Sequence, residues 1–458
     1  MEKFDLLVIG SGPAGEKAAL QAAYFGRSVC VIDRGPAGGA WVNTGTIPSK
    51  TLRESALYLA GGRRRGVSTD PSASPTVRSF MALKRHLVAR WREKIEANFR
   101  RHQVVRLRGS ARFVDPHTLA FDDGQQVSGE HILIATGSRP RAVPELPVDG
   151  EIIHDSETLL RLEQIPHSMI VLGGGVIACE YASIFQALGV QVTLINGRDR
   201  LLGFLDREAS DFLQSTLTAE GMVVRHEARA EGLGRVSKGS VEVNLSDGTV
   251  ASAETVFVAL GRVPVIDGLA LAVPGIKLTD WGTIEVDQHM RTSVAHIYAA
   301  GDVIGFPSLA SAGMEQGRVA AAHMFGHERG PVDELIPGGI FTIPELSTVG
   351  MDEKQAKDAG FEPVTGKAEY RENVRAPMLG DEQGLVKLVA DRASGKLLGA
   401  TIVGNQATEL IHFAMAVINY GGTVTDLTHF VFNLPSLSAL YRQAAYTVLH
   451  RINEVNDG

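Results

Sequence analysis

Two glycine-rich turns of one spacing are the residues best suited to chemistry in this sequence. Gly10, Gly12 and Gly15 lie in "VIGSGPAG", just after an apolar run, and Gly173, Gly175 and Ala178 occupy the same places in "VLGGGVIA". At a strand-to-helix turn the first Gly allows the tight bend, the second lets backbone approach a pyrophosphate, and the third lets helix pack on strand. The phosphates then face a helix N-terminus and its partial positive charge. Positioning such a turn takes a βαβ unit. Residues 4–34 read as apolar strand, glycine turn, Ala-rich helix and second strand, and residues 169–198 repeat that plan, with Gly10, Gly12 and Gly26 returning 163 positions later as Gly173, Gly175 and Gly189. One such turn is weak evidence; two copies in context imply two dinucleotide sites.

The repeat also compares the two ribose ends. The first copy closes its second strand with Asp33, where a carboxylate accepts hydrogen bonds from a ribose hydroxyl. The aligned residue of the second copy is Asn196, which does not repel a 2′-phosphate, and Arg198 and Arg200 follow in "NGRDR". The second site is therefore expected to admit both NADH and NADPH, unless those arginines are ordinary surface charges. Two more strand ends, "HILIATGSRP" and "TVFVALGRVP", stop at Gly137 and Gly261 before Ser-Arg-Pro and Arg-Val-Pro, each expected to close one nucleotide fold. Further on, Asp302 stands at a strand terminus and a helix starts near Leu309 and Ala310, its dipole able to face an electron-rich ring. Asp302 alone would also suit a turn or cap.

Composition bounds the alternatives. The 45 basic and 52 acidic residues leave a net charge of −7, which argues against nucleic acid or an anionic membrane surface and for small-molecule ligands. The two cysteines, Cys30 and Cys179, sit in apolar periodic segments, so the expectation is buried thiols in a reducing cytoplasm, with no disulfide framework. No apolar run approaches the ~18 residues of a membrane span, and no signal h-region opens the chain. None of the 14 histidines has a metal-ligand spacing to Cys or Glu, so no metal is expected.

With these residues in view, the chain resembles the pyridine nucleotide-disulfide oxidoreductase family of flavoproteins. The resemblance spans nearly its whole length through "GSGPAG", "GTIPSK", "ATGSRP", "GGGVIACE", "ALGRVP", "AAGD" and "FTIPELSTVG", in that order. It implies FAD at the first turn, with Gly10, Gly12 and Gly15 at the pyrophosphate, Asp33 at the adenosine ribose, Asp302 at the ribityl chain, and Gly109 and Gly137 along the same cofactor. It implies NAD(P)H at the second, through Gly173, Gly175 and Ala178. Lys50 and Glu180 resemble the ion pair that members hold beside flavin N5, where a cation stabilises reduced flavin; outside that resemblance they would be an unremarkable surface lysine and helical glutamate.

The segment "GGAWVNTGTIPSK" departs from the family's disulfide-reducing pattern. Where those members carry two cysteines, this chain has Trp41 and Thr46, and where they carry a C-terminal His and Glu it has Leu434 and Ala439. Both the dithiol and its acid-base pair are missing, which excludes dithiol-dependent reduction. The nearest subgroup resemblance is to soluble NAD(P) transhydrogenases, which share Thr at the second cysteine position, "EYASIF", "LINxRDRLLxFLD" and "GDVIGxPSLASAxxxQGRxAA"; Trp41 and Ala439 are departures from it. The expected activity is hydride transfer between NADPH and NAD+ through FAD, by turns at one pocket. Val176, where several reductases have a Tyr lid, leaves room for that exchange. Trp41 either blocks the opposite flavin face or simply packs in the core. The rivals are an NAD(P)H oxidase or diaphorase using oxygen or quinones, and a flavin-loaded sensor without turnover.

The expected architecture is α/β: two doubly wound Rossmann-like folds and a C-terminal α+β dimerisation domain. Its divisions are an FAD-binding segment at 1–150, an NAD(P)-binding domain at 151–270, a second FAD-binding segment at 271–335 and an interface domain at 336–458, giving a homodimer or larger homo-oligomer. Residues 84–101 read as a basic helix with an apolar stripe of Leu87, Trp91, Ile95 and Phe99. Residues 66–77, rich in Ser, Thr and Pro, read as a surface loop.

Overall fold

The structure, a computed structural model, describes residues 1–64, 76–237, 239–327 and 329–454. Most of the loop expected at 66–77 lies outside the described residues. The chain divides into two compact units, one of residues 1–51, 81–141 and 261–333, the other of residues 52–80, 142–260 and 334–458.

The first unit is organised by a seven-stranded sheet. Its parallel part runs Val105–Arg108, Val29–Asp33, Glu2–Ile9, Gln126–Ile134 and Ile297–Ala299. The long strand Gln126–Ile134 shares its outer edge between two neighbours: Thr118–Phe121 pairs antiparallel with its first half, and Ile297–Ala299 parallel with its second. Parallel strands are covered on both faces, so their apolar runs supply two cores rather than one. Leu6, Val8, Val31 and Leu133 face helix Pro13–Tyr24 and the Ile95 and Phe99 of helix Val77–Arg101, while Leu7, Ile9, Ile32, Ile132 and Ile134 face Phe113, Leu119 and Ile276. The stripe expected on 84–101 is thus the buried side of a longer helix, with Trp91 at its margin.

Helix Pro13–Tyr24 lies directly against helix Ala310–Met324. A Cβ on Gly317 would fall 2.2 Å from the Ala14 carbonyl oxygen, so the backbones touch where that glycine sits. That approach fixes the entry of both helices at one end of the sheet, where their preceding loops carry Gly12 and Asp302.

The second unit repeats the plan with five parallel strands in the order Val223–Arg225, Gln191–Ile195, Ser168–Leu172, Thr255–Val258 and Ile153–His154. A three-stranded antiparallel sheet, Ala230–Ser237, Ser240–Leu245 and Val250–Ala253, adds Val241, Val243 and Leu245 to the core of that fold. The C-terminal part of the unit is a five-stranded antiparallel sheet, Gly338–Ile340, Leu346–Gly350, Leu397–Val403, Leu385–Asp391 and Pro363–Glu369 in spatial order, covered by helices Ala407–Asn419 and Ala439–Asn453. Tyr370 and Tyr441 are fully buried there, and each donates its phenolic hydrogen to a backbone oxygen, of Asn405 and Leu410. Among the described residues no helix is long and apolar enough to cross a membrane.

Candidate functional site

Both glycine turns take the same backbone path. Gly10 has φ +104° and Gly173 +121°, a region that only glycine enters cheaply. A Cβ on Gly10 would lie 2.3 Å from the Ala135 carbonyl oxygen, and one on Gly173 2.5 Å from that of Ala259, so each turn is pressed against the end of the neighbouring strand. Gly12 and Gly175 then begin the helices with ψ −176° in both, no side chain caps either helix, and a Cβ on either would project into open space. The uncapped amides at these ends are an anion cradle that backbone alone can line. At the third position the copies differ: a Cβ on Gly15 would meet the Gly10 oxygen at 1.9 Å, whereas the second turn accommodates the buried methyl of Ala178.

Asp33 holds its own glycine turn. Its Oδ2 accepts hydrogen bonds from the Ser11 amide at 2.7 Å and the Ser11 hydroxyl at 2.5 Å, and its Oδ1 from the Gly35 amide at 2.8 Å. Ser11 Oγ in turn accepts from the Gly38 amide at 3.1 Å, tying the loop after the second strand back over the turn. A carboxylate offers about four lone-pair positions. With three taken, one is left for a ribose hydroxyl, so the open cradle and this carboxylate fit an adenine dinucleotide. Gly109 donates its amide to the Asp33 carbonyl at 3.1 Å, and a Cβ there would strike the Phe121 ring at 2.7 Å.

The Ser-Arg-Pro and Arg-Val-Pro segments do more than close separate folds: Ser138–Pro140 and Arg262–Pro264 pair with each other as a short antiparallel ribbon following Gly137 and Gly261, whose φ values are +71° and +105°. The ribbon reaches Asp302. Ser138 Oγ donates to Asp302 Oδ2 at 2.6 Å, and Arg262 Nε donates to that same hydroxyl at 2.8 Å. Asp302 starts a short helical turn after strand Ile297–Ala299, and Leu309 precedes helix Ala310–Met324, where the sequence placed them.

Trp41, in the short helix Gly39–Asn43, is half-buried and meets Trp91 edge to face with ring centroids 5.4 Å apart; the Lys94 ammonium sits 4.2 Å from the Trp91 ring centre. Both indoles pack on the core. Thr46 and Lys50 lie in the first turns of helix Thr46–Arg64. Neither cysteine is poised for chemistry: Cys30 and Cys179 are buried, and burial pushes both thiols up to about 12.

In the second unit, Val176 opens helix Val176–Ala187 and Glu180 is 3% exposed on it. Glu180 Oε1 accepts the Phe341 amide at 2.9 Å, and Ser183 Oγ accepts the Ile343 amide at 3.1 Å. Arg53 reaches the same segment from its other end, donating from Nε to the Thr342 carbonyl at 3.0 Å and pairing with Glu345 at 2.9 Å. Asn196 is 3% exposed; its amide donates to the Arg200 carbonyl at 2.8 Å and contacts His226 Nδ1 at 3.1 Å, so it shapes the turn that carries Arg198 from beneath. At the C-terminal end, Leu434 is 82% exposed and Ala439 begins helix Ala439–Asn453. Among the described residues no group of three or more His, Cys, Asp or Glu is placed to hold a metal.

The roles of Ser11, Arg262 and Arg53 escape a reading by motif. Ser11 is hidden among the glycines of its own turn, while Arg262 and Arg53 act on partners 124 and 289 residues away, a separation no local pattern records.

Comparison with known proteins agrees with this geometry. The model of the pyridine nucleotide-disulphide oxidoreductase family matches residues 4–317, and that of the family's dimerisation domain residues 336–445. A soluble pyridine nucleotide transhydrogenase of Mycobacterium bovis (strain BCG / Pasteur 1173P2) is 40% identical over all of this chain and 99% of its own length, and that of Pseudomonas putida (strain W619) is 37% identical over 98% and 99%. Among solved structures, LpdA from Mycobacterium tuberculosis is similar with a TM-score of 0.89 and 30% identity, covering 97% of this chain and 99% of that one. The HOCl-induced flavoprotein disulfide reductase RclA from Escherichia coli has the same TM-score of 0.89 at 26% identity, covering 97% of this chain and 100% of that one. With the glycine turns, the strand order and both family models in accord, the chain belongs to the pyridine nucleotide-disulphide oxidoreductase family.

Proposed function

We propose that this protein is a soluble pyridine nucleotide transhydrogenase, moving hydride between NADPH and NAD+ through bound FAD. The observation that carries the reading is the pair of matching open cradles at Gly12 and Gly175 in a chain whose only thiols, Cys30 and Cys179, are buried. Bound FAD supplies a centre that takes up hydride and gives it back. The rest is done by the chain. Gly10, Gly12 and Gly15 hold the cofactor's pyrophosphate on helix Pro13–Tyr24, Asp33 its adenosine ribose, and Asp302, oriented by Ser138 and Arg262, its ribityl hydroxyls.

Lys50 contributes a cation that favours the reduced cofactor. Glu180 keeps the helix of the second turn in register with segment 341–343, through the Phe341 amide. Gly173, Gly175 and Ala178 take NADPH and NAD+ in turn, which a single pocket permits because, apart from the hydride on the nicotinamide ring, the two nucleotides differ only at the adenosine 2′ position. Residues 1–150 and 271–335 serve FAD, 151–270 the nicotinamide nucleotides, and 336–458 the contact between two copies in a cytoplasmic homodimer.

The test is anaerobic reduction of thio-NAD+ by NADPH on purified protein, alongside reduction of a quinone or dye by the same preparation. Transhydrogenation matching or exceeding dye reduction is expected. Rapid dye reduction with no nucleotide exchange would convert the reading to a diaphorase, and a protein that retains no flavin would end both.

A further inference from the structure

The adenosine end of the second glycine turn is built from two chain segments. After strand Val223–Arg225 the chain runs back along the turn 196–198: the Glu227 amide donates to the Arg198 carbonyl at 3.1 Å and the Ala228 amide to the Asn196 carbonyl at 3.2 Å. This lays the side chain of Arg229 over Gly197, where a Cβ would fall 2.9 Å from Arg229 Cγ and 3.3 Å from Nε. The backbone of Arg229 is fixed from its other side, its amide donating to Ser246 Oγ at 3.0 Å and its carbonyl accepting from the Ser246 amide at 2.9 Å.

Arg198 and Arg229 are both exposed, and neither guanidinium has a carboxylate partner within ion-pair distance among the described residues. Arg200, which the sequence grouped with Arg198, is otherwise engaged: its Nη2 donates to the Gly203 carbonyl at 2.7 Å and closes the turn from within. Asn196 is sealed under Gly174 and offers no reach toward a ligand, since a Cβ on Gly174 would strike its amide at 2.5 Å.

We infer that Arg229, together with Arg198, clamps the 2′-phosphate of NADPH, and that Arg200 serves only to hold the turn. This rests on the reading of the second turn as the NAD(P)H site. The absence of a side chain at Gly197 is part of the device, because it lets a guanidinium from a neighbouring segment lie where the 2′ position of a ribose at the strand end comes to rest. Two guanidinium groups give the bidentate, charge-assisted contacts that a phosphate dianion needs. The exposed carboxylates of Asp199, in the turn itself, and Glu227, on the segment bonded to it, temper that charge, so a 2′-hydroxyl is admitted as well.

Calorimetric titration of the purified full-length chain with adenosine 2′,5′-bisphosphate and with 5′-AMP tests this without turnover. Wild type should bind the bisphosphate more tightly than 5′-AMP. Arg229→Ala and Arg198→Ala should each weaken the bisphosphate roughly tenfold to a hundredfold while changing 5′-AMP less than about twofold. Arg229→Lys should retain part of the preference, and Gly197→Ala, which pushes the Arg229 stem aside, should lower it. Arg200→Ala should weaken both ligands alike. An unchanged bisphosphate affinity in Arg229→Ala, or an equal loss for both ligands, overturns the assignment while leaving the second turn as the nucleotide site. Failure of wild type to bind either ligand overturns that underlying reading and the clamp with it.

Discussion

At the scale of single residues, side chains expected to touch ligand are largely occupied in shaping the loops proposed to hold it. Asp33 spends three acceptor positions on Ser11 and Gly35, and Asn196 is buried among the carbonyls of its own turn. Such bonds fix the loop before ligand arrives, so the ordering cost of binding is already met. His154 is the opposite case. It is 1% exposed at the end of strand Ile153–His154, neither ring nitrogen has a hydrogen-bond partner among the described residues, and burial pushes its pKa below that of a free imidazole. As pH falls, the unfolded chain therefore takes up a proton before the folded one does. The stability this group allows is full above its unfolded pKa of about 6.5 and drains away as pH drops from there toward the folded value. His154→Leu removes the orphaned polar atoms, and should leave the melting temperature at pH 8 unchanged or higher and flatten its decline between pH 7 and 5. A steeper acid decline in the variant would refute this account.

At the scale of elements, segment 341–345 is held at both ends. Glu180 and Ser183 take its amides, and the 5%-exposed Arg53, one turn beyond Lys50 on helix Thr46–Arg64, takes the Thr342 carbonyl and Glu345, whose carboxylate also receives the amide and hydroxyl of Thr408 at 3.0 and 2.8 Å. Removing one partner of a buried pair strands the other charge, so Arg53→Ala should cost about 3–5 kcal/mol in denaturant unfolding. Arg53→Lys should recover part of that, since an ammonium keeps the charge and loses the fork. A second buried contact joins the N-cap of helix Arg207–Ala219 to strand Leu385–Asp391: Lys387 meets Asp206 at 2.7 Å and Glu208 at 3.4 Å. Burial alone would depress the Lys387 ammonium, but the hydrogen bond and charge of Asp206, joined by Glu208, outweigh it and raise the pKa above the ordinary lysine value. Its contribution is complete below the unfolded pKa of about 10.4 and is lost as pH rises through the higher folded value. Wild type should therefore lose stability above about pH 10 by a component that Lys387→Met lacks, read as melting temperature against pH. Parallel alkaline limbs in the two proteins would count against it.

At the scale of the whole molecule, with Trp41 and Thr46 where a dithiol would need cysteines, the expected redox capacity is one hydride per chain. Anaerobic titration with NADPH should bleach the flavin completely at about one equivalent per bound FAD, whereas an additional dithiol would demand a second; an end point near two would reveal another acceptor. The sequence determined the two Rossmann-like folds, the order of the family's motifs, the absence of cysteine at positions 41 and 46 and the start of a helix near Leu309. All of these are written in local spacing, because a glycine turn between an apolar strand and a helix, or a cysteine replaced by tryptophan, needs no distant partner to be read. Only the tertiary structure decided that "ATGSRP" and "ALGRVP" pair with each other and steer Asp302, that Trp41 rests on Trp91, that Arg53 grips a loop 289 residues away, and that Arg229 rather than Arg200 overlies the Asn196–Gly197 turn. Those contacts join residues with no shared period, and they come about because packing brings elements distant in the chain side by side, where short-range hydrogen bonds and charge then select the partners.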